Sequence, residues 1–186
     1  MSLTQYLGFN DTLEKVKEHI SGSGAKLLLL VGARHTGRTT ILEKAAEETG
    51  APYLSPTSTK NDVEQAIREG KALIDDLYLN LASPDPEKTK SIIEALKTCR
   101  TVAALTPYEY EWLKSTLTED LLKDAELVVL EIGWEEALEI AEKICAQKFD
   151  KSPTNLEEKL AETRVRFKIN RKTRETYVPA DAATLA

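Results

Sequence analysis

The chain has 186 residues, enough for one full domain or for one domain with a short appendage. With 41% apolar and 30% charged residues, the composition excludes a disordered or fibrous chain. The net charge of −6 argues against a protein coated in nucleic acid, while leaving room for a local basic patch.

Asp11-Thr12 can cap a first helix whose Leu13, Val16 and Ile20 share one face, and Ser21-Gly22-Ser23-Gly24 ends it. Residues 26–31 form a continuous apolar run, as expected of a strand covered on both faces. A loop with glycines at 32 and 37 leads into a helix through about Thr49, stopped by Gly50. Residues 51–54 predict a short strand, and Asn61-Asp62 caps a helix bearing Val63, Ala66 and Ile67, closed by Gly70. A third strand covers 71–77. The turn Ser83-Pro84-Asp85-Pro86 starts a helix with Ile92, Ile93, Leu96 and Cys99 on one side. Residues 101–106 predict a fourth strand, Pro107 opens a helix bearing Tyr110, Leu113 and Leu117, and residues 126–132 predict a fifth strand. A helix from Trp134 to about Lys148 aligns Trp134, Ala137, Leu138, Ala141, Ile144 and Cys145. Five strands separated by helices imply a mostly parallel α/β sheet with helices on both faces.

After Phe149 the character changes. Ser152-Pro153-Thr154-Asn155 breaks the chain, and 156–163 predict a short helix. Residues 164–169 alternate charged and apolar, and with a loop at 170–173 and a return at 175–178 they predict a β-hairpin. This segment is basic: Arg164, Arg166, Lys168, Arg171, Lys172 and Arg174 occur with no acid between them, whereas the preceding 163 residues hold 19 basic and 29 acidic ones. An acidic body with a basic tail suggests one body and one contact arm. The arm reads as a nucleic-acid contact, as a hairpin packing Val165, Phe167 and Ile169 on the domain with its charged face solvated, or as a disordered arm.

The chemistry concentrates in Gly32-Ala33-Arg34-His35-Thr36-Gly37-Arg38-Thr39-Thr40. Its spacing is that of a phosphate loop, G-x-x-x-x-G-K-[ST], with arginine in the lysine place. Glycines let backbone N–H groups turn inward around a phosphate, the following helix aims its N-terminus at it, and a hydroxyl can ligate Mg²⁺. A glycine-containing turn with no ligand is the plainer alternative. Arg38 keeps the positive charge but is longer, planar and forked, which puts γ-phosphate positioning in doubt. Asp75 and Asp76 end an apolar strand on the edge of the sheet where ligands sit. They suit metal binding, by Thr39 with Asp75, and activation of the attacking water, by Asp76. Thr106, at the end of the fourth strand, is a hydroxyl within reach of the same edge.

Over about residues 5–148 these motifs resemble the AAA+ branch of the P-loop NTPases, in a degenerate form like that of initiators or clamp loaders. Residues 32–39 resemble Walker A and 73–76 resemble Walker B, with Asp76 where glutamate is more usual, and Thr106 matches the polar sensor at the fourth strand end. Tyr6-Leu7-Gly8-Phe9 resembles the segment that packs near adenine. The resemblance implies sheet order 5-1-4-3-2, a core over 1–133, a partial helical lid over 134–163, and ATP or ADP with Mg²⁺ as ligands. It also implies a protein partner or self-association. Leu121-Leu122-Lys123-Asp124 stands where an arginine finger is usual and has no arginine, and no clear second sensor follows. The expectation is therefore a weak or inactive ATPase acting as a switch or assembly subunit, with DNA replication or repair as its setting. A scaffold that binds no nucleotide and a small P-loop kinase are the alternatives. Against the kinase, no arginine-bearing segment between the middle strands is present to clamp a second phosphate.

Two cysteines, Cys99 and Cys145, and two histidines, His19 and His35, are too few and too scattered for a zinc site; the cysteines read as buried free thiols. The N-terminus shows no basic region leading into an apolar segment, and the longest apolar run falls far short of the ~20 residues of a membrane span. A cytoplasmic protein without a membrane segment is expected.

Overall fold

The computed structural model describes residues 7–116, 119–149 and 155–185. Tyr6, Leu117 and residues 152–154 of the sequence reading lie outside them. The elements run α1 (Leu7–Ser21), β1 (Lys26–Gly32), α2 (Arg38–Thr49), β2 (Tyr53–Leu54), α3 (Lys60–Glu69), β3 (Lys71–Ile74), α4 (Leu77–Leu81), α5 (Pro86–Thr98) and β4 (Arg100–Leu105). They continue with α6 (Pro107–Thr116), α7 (Glu119–Leu122), β5 (Glu126–Leu130), α8 (Trp134–Phe149), α9 (Leu156–Glu162), β6 (Val165–Ile169), β7 (Lys172–Thr176) and α10 (Pro179–Leu185).

β1 to β5 form one parallel sheet in the order β2-β3-β4-β1-β5, the predicted arrangement read from the opposite edge. β1 lies between β4 and β5 and is covered on both faces. Leu28 and Leu30 face a core shared with α1, α2 and α8, while Leu27, Leu29 and Val31 face a second core shared with α3, α5 and α6. Double coverage explains why β1 is an unbroken apolar run rather than an alternating one. Each side chain buried there contributes about 1.5–3 kcal/mol relative to exposure.

Several boundaries shift for identifiable reasons. α1 begins at Leu7, so Asp11 and Thr12 lie inside it, and Thr12 is buried. α3 is capped by Thr59 rather than Asn61: the Thr59 hydroxyl accepts from the Asp62 N–H, and the Asp62 carboxylate accepts from the Thr59 N–H. This reciprocal pair satisfies two N–H groups that the helix end leaves free. β3 stops at Ile74 because Asp76 adopts φ 47° and caps the short α4.

The hairpin β6–β7 forms in the antiparallel register Val165↔Thr176 to Ile169↔Lys172. Its turn is only two residues long, Asn170 and Arg171, at φ 49° and 66°. Positive φ at both central positions is the geometry whose twist matches paired strands. The return strand therefore starts at Lys172, three residues earlier than the alternation suggests. Phe167 and Ile169 pack on the second core, and the Tyr110 hydroxyl donates to Asn170 Oδ1 at 3.3 Å. Arg164 and Arg166 both pair with Glu175, and Arg174 pairs with Glu131.

α10 is not anticipated by the sequence pattern. It packs on α8 and α9 through Ala182 and Ala183 against the core that holds Ile140, Cys145 and Leu160. Its approach is set where the hairpin leaves the sheet: the Ile132 N–H donates to Thr176 Oγ1 (2.9 Å) and the Tyr177 N–H to the Ile132 carbonyl (3.2 Å). Trp134 and Tyr177 meet edge to face. Cys99 and Cys145 are buried free thiols.

Candidate functional site

Residues 32–40 carry the chain from the C-terminal end of β1 over the sheet edge into α2. Gly32 has no room for a side chain: a Cβ there would lie 2.9 Å from Thr36 Oγ1 and 3.1 Å from Leu130 Cβ. Gly37 is required twice, because its φ is 92° and because a Cβ would lie 2.5 Å from the Phe9 ring. The Thr36 hydroxyl donates to the Ala33 carbonyl (2.7 Å), bracing the loop from inside, while His35 takes φ 61° at its crown. Ala33 and Thr36 are buried, and Arg34 and His35 are exposed. Thr39 and Thr40 occupy the first turn of α2.

Asp75 lies directly below this turn. Its Oδ2 accepts from the Thr39 hydroxyl (2.9 Å) and from the Tyr53 hydroxyl (3.0 Å), and its Oδ1 accepts from the Asp76 N–H (3.0 Å). The phosphate loop and the acidic strand end therefore meet, as their spacing implies. Burial, then the Asp75 charge, raises the Tyr53 phenol above its ordinary value. Asp76 is turned toward α4, where Oδ1 accepts from the Leu79 N–H (3.4 Å); burial and the Glu109 charge raise its carboxyl. Thr106 caps α6: its hydroxyl accepts from the Glu109 N–H (3.2 Å), and Glu109 Oε2 accepts from the Thr106 N–H (2.7 Å). The Thr106 hydroxyl keeps its own proton for a further acceptor.

Arg38 feels the charges of these acids. Burial pushes its guanidinium down from the ordinary value, and the Glu109, Asp75 and Asp76 carboxylates, in that order, oppose the shift. Its Nη1 is buried without a hydrogen-bond partner. An orphaned buried donor costs about 1–3 kcal/mol, more for a charged group. A donor left in that state at the head of a phosphate loop fits an anion.

Beside the loop, Phe9, His35, Thr36, Gly37, Ile132, Ile140, Ile144, Pro179 and Ala180 line a cavity of about 40 Å³. Ligand pockets run to about 300–1,000 Å³, so this cavity is far smaller than one that holds a drug-sized ligand. The start of α10 forms one wall, and His35 Nδ1 lies 2.8 Å from Asp181 Oδ1, fastening α10 to the phosphate loop.

Sequence reasoning missed Tyr53, Glu109 and Asp181. Glu109 had a signal, since Thr106-Pro107-Tyr108-Glu109 is a capping-box spacing. Tyr53 and Asp181 had none, because their partners stand 22 and 146 residues away. The hairpin meets α6, where Asn170 Oδ1 accepts from the Tyr110 hydroxyl. Of its six cations, Arg164, Arg166 and Arg174 are paired with acids, and among the described residues Lys168, Arg171 and Lys172 carry no ion pair.

A parallel sheet with this strand order and a loop of phosphate-loop spacing leaving the interior strand β1 defines a P-loop NTPase-like fold. Comparison with solved structures narrows it to the AAA+-like form. A structure described as the structural basis for katanin self-assembly superposes with a TM-score of 0.59 at 17% identity, covering all of this chain and 68% of that one. AMPPCP-bound DnaA from Aquifex aeolicus superposes with a TM-score of 0.53 at 19% identity, covering 87% of this chain and 59% of that one. No protein-family model and no curated protein matches the sequence. Among the described residues no helix is long and apolar enough to cross a membrane.

Proposed function

We propose that the protein binds an adenine nucleotide, ADP or ATP, and uses it as a switch or for assembly rather than for rapid turnover. The observation that carries this reading is the buried, unpartnered Arg38 Nη1 within a braced phosphate loop whose Thr39 already meets Asp75. The AMPPCP-bound state of the DnaA neighbour supports nucleotide as the ligand, and the self-assembly of the katanin neighbour supports association between copies. Weak hydrolysis follows from three features. Arg38 replaces a compact ammonium, Asp76 is committed to capping α4, and residues 121–124 contain no arginine. Such a finger is worth ~10³–10⁵ in rate where it operates. A role in DNA replication or repair is the setting this reading favours, with Lys168, Arg171 and Lys172 as its contact for a polyanion.

A scaffold that takes no nucleotide is the second reading, and the small size of the cavity beside the loop, the place a base would take on the first reading, favours it. Thermal unfolding with and without ADP separates the two. Ligand at ~100 times its dissociation constant stabilises by about 2.7 kcal/mol, a clear rise in Tm. The same preparation should release phosphate from ATP at a rate barely above that of its Asp76→Asn variant. Absence of any shift at millimolar nucleotide would establish the scaffold.

A further inference from the structure

The phosphate-loop motif ends in an arginine with an unsatisfied donor, and its Thr39 meets an aspartate with nearly every acceptor filled. Asp75 Oδ2 holds two hydroxyl protons, from Thr39 and Tyr53, and Oδ1 holds the Asp76 N–H. A carboxylate offers roughly four acceptor positions, so about one is left. The Thr39 bond is compatible with a metal, because that oxygen keeps lone pairs on its far side. The Tyr53 bond is not neutral in this respect: it takes an acceptor position that a metal-bound water would use. Mg²⁺ demands near-octahedral oxygens at about 2.0–2.1 Å and usually keeps several waters, each needing an acceptor nearby. Asp76 and Glu109 each accept one N–H, from Leu79 and Thr106, in capping α4 and α6. Asp75, the carboxylate that meets the Thr39 hydroxyl, is thus poorly matched to a hydrated divalent cation.

Arg38 is the counterpart. It is permanently charged, its planar fork matches two phosphate oxygens at once, the charges of Glu109, Asp75 and Asp76 favour its own, and its Nη1 has no partner. We propose that Arg38 supplies the charge neutralisation a divalent cation would give, that Tyr53 withholds Asp75 from such a cation, and that the site therefore holds a nucleoside diphosphate without Mg²⁺. This rests on the nucleotide-site reading above and specifies the counter-ion of that same site. Tyr53 acts here as a positioning residue, through Asp75.

The test is calorimetric titration of the full chain with ADP, in millimolar MgCl₂ and again with EDTA replacing the metal. The expected result is a Kd that changes by no more than about threefold, well under the tenfold that 1.4 kcal/mol represents. The double variant Arg38→Lys with Tyr53→Phe, checked for folding by circular dichroism, should become Mg²⁺-dependent by about tenfold or more. Wild-type binding that weakens by about tenfold or more on chelation overturns the proposal. A double variant as indifferent to Mg²⁺ as the wild type overturns the assignment to Arg38 and Tyr53. No binding in either buffer overturns the nucleotide-site reading itself, and the inference with it, which distinguishes the two failures.

Discussion

At the phosphate end of the site, nine consecutive residues make a cradle already in shape: Gly32 and Gly37 leave the necessary room, Thr36 braces the turn, and Thr39 meets Asp75. At the base end, the walls come from four distant stretches around Phe9, residues 35–37, the β5 exit with α8, and the start of α10, and they leave about 40 Å³. The loop end rests largely on bonds and glycines within a few residues, braced by Asp75 and Phe9. The cavity end rests on packing between α10, α8 and Phe9. On the proposed nucleotide reading, affinity would balance what phosphate gains at Arg38 against what opening the cavity for a base costs.

Removing the cation should break this comparison most severely. Arg38→Ala deletes the buried charge at the phosphate end, and truncating one partner of a buried charged contact costs about 2–5 kcal/mol. ADP binding by calorimetry should fall by more than an order of magnitude, while thermal stability without ligand stays level or rises, because the orphaned donor disappears. Binding that survives Arg38→Ala would move the weight of recognition to the base end.

Gly37→Ala tests where the two ends touch. The new Cβ must displace the Phe9 ring, and the residue must hold φ 92°, a strain of about 1–3 kcal/mol. The expected outcome is a lower Tm without ligand together with weakened ADP binding. An unchanged Tm would mean that the loop relaxes independently of Phe9.

The smallest effect, and of opposite sign, belongs to Asp181→Ala. The His35–Asp181 contact is substantially exposed, so its loss is worth at most about 1 kcal/mol. Freed from the phosphate loop, α10 should yield the base pocket more readily and ADP should bind up to about fivefold more tightly, chiefly through a faster association rate in stopped-flow measurements. Weaker binding would show instead that Asp181 holds the loop in its binding shape.

Much of the α/β body is legible from the sequence because its signals are local. The apolar run of β1, the glycine stops at Gly50 and Gly70, and the proline at the first turn of α5 each act within a few residues. The hairpin shows in the alternation of 164–169, but its turn does not, because Asn170 and Arg171 adopt positive φ without a glycine to announce it. In the site, the loop and the paired aspartates are visible as motifs, whereas the commitments of those aspartates are not: Asp76 reads as a free carboxylate until α4 is seen to need its cap.

By itself, the sequence determined the order and type of the main elements, the doubly covered interior strand β1 and the glycine-bounded loop that follows it, since spacing, glycine placement and hydrophobic period are properties of neighbouring residues. Tertiary structure alone decided that Tyr53 bonds Asp75, that the charges of Glu109 and both aspartates act on Arg38, and that α10 meets residue 35 of the loop through Asp181. These depend on which strand ends and helix starts the parallel sheet brings to one edge. Such proximity is set by long-range packing, and no local pattern encodes it.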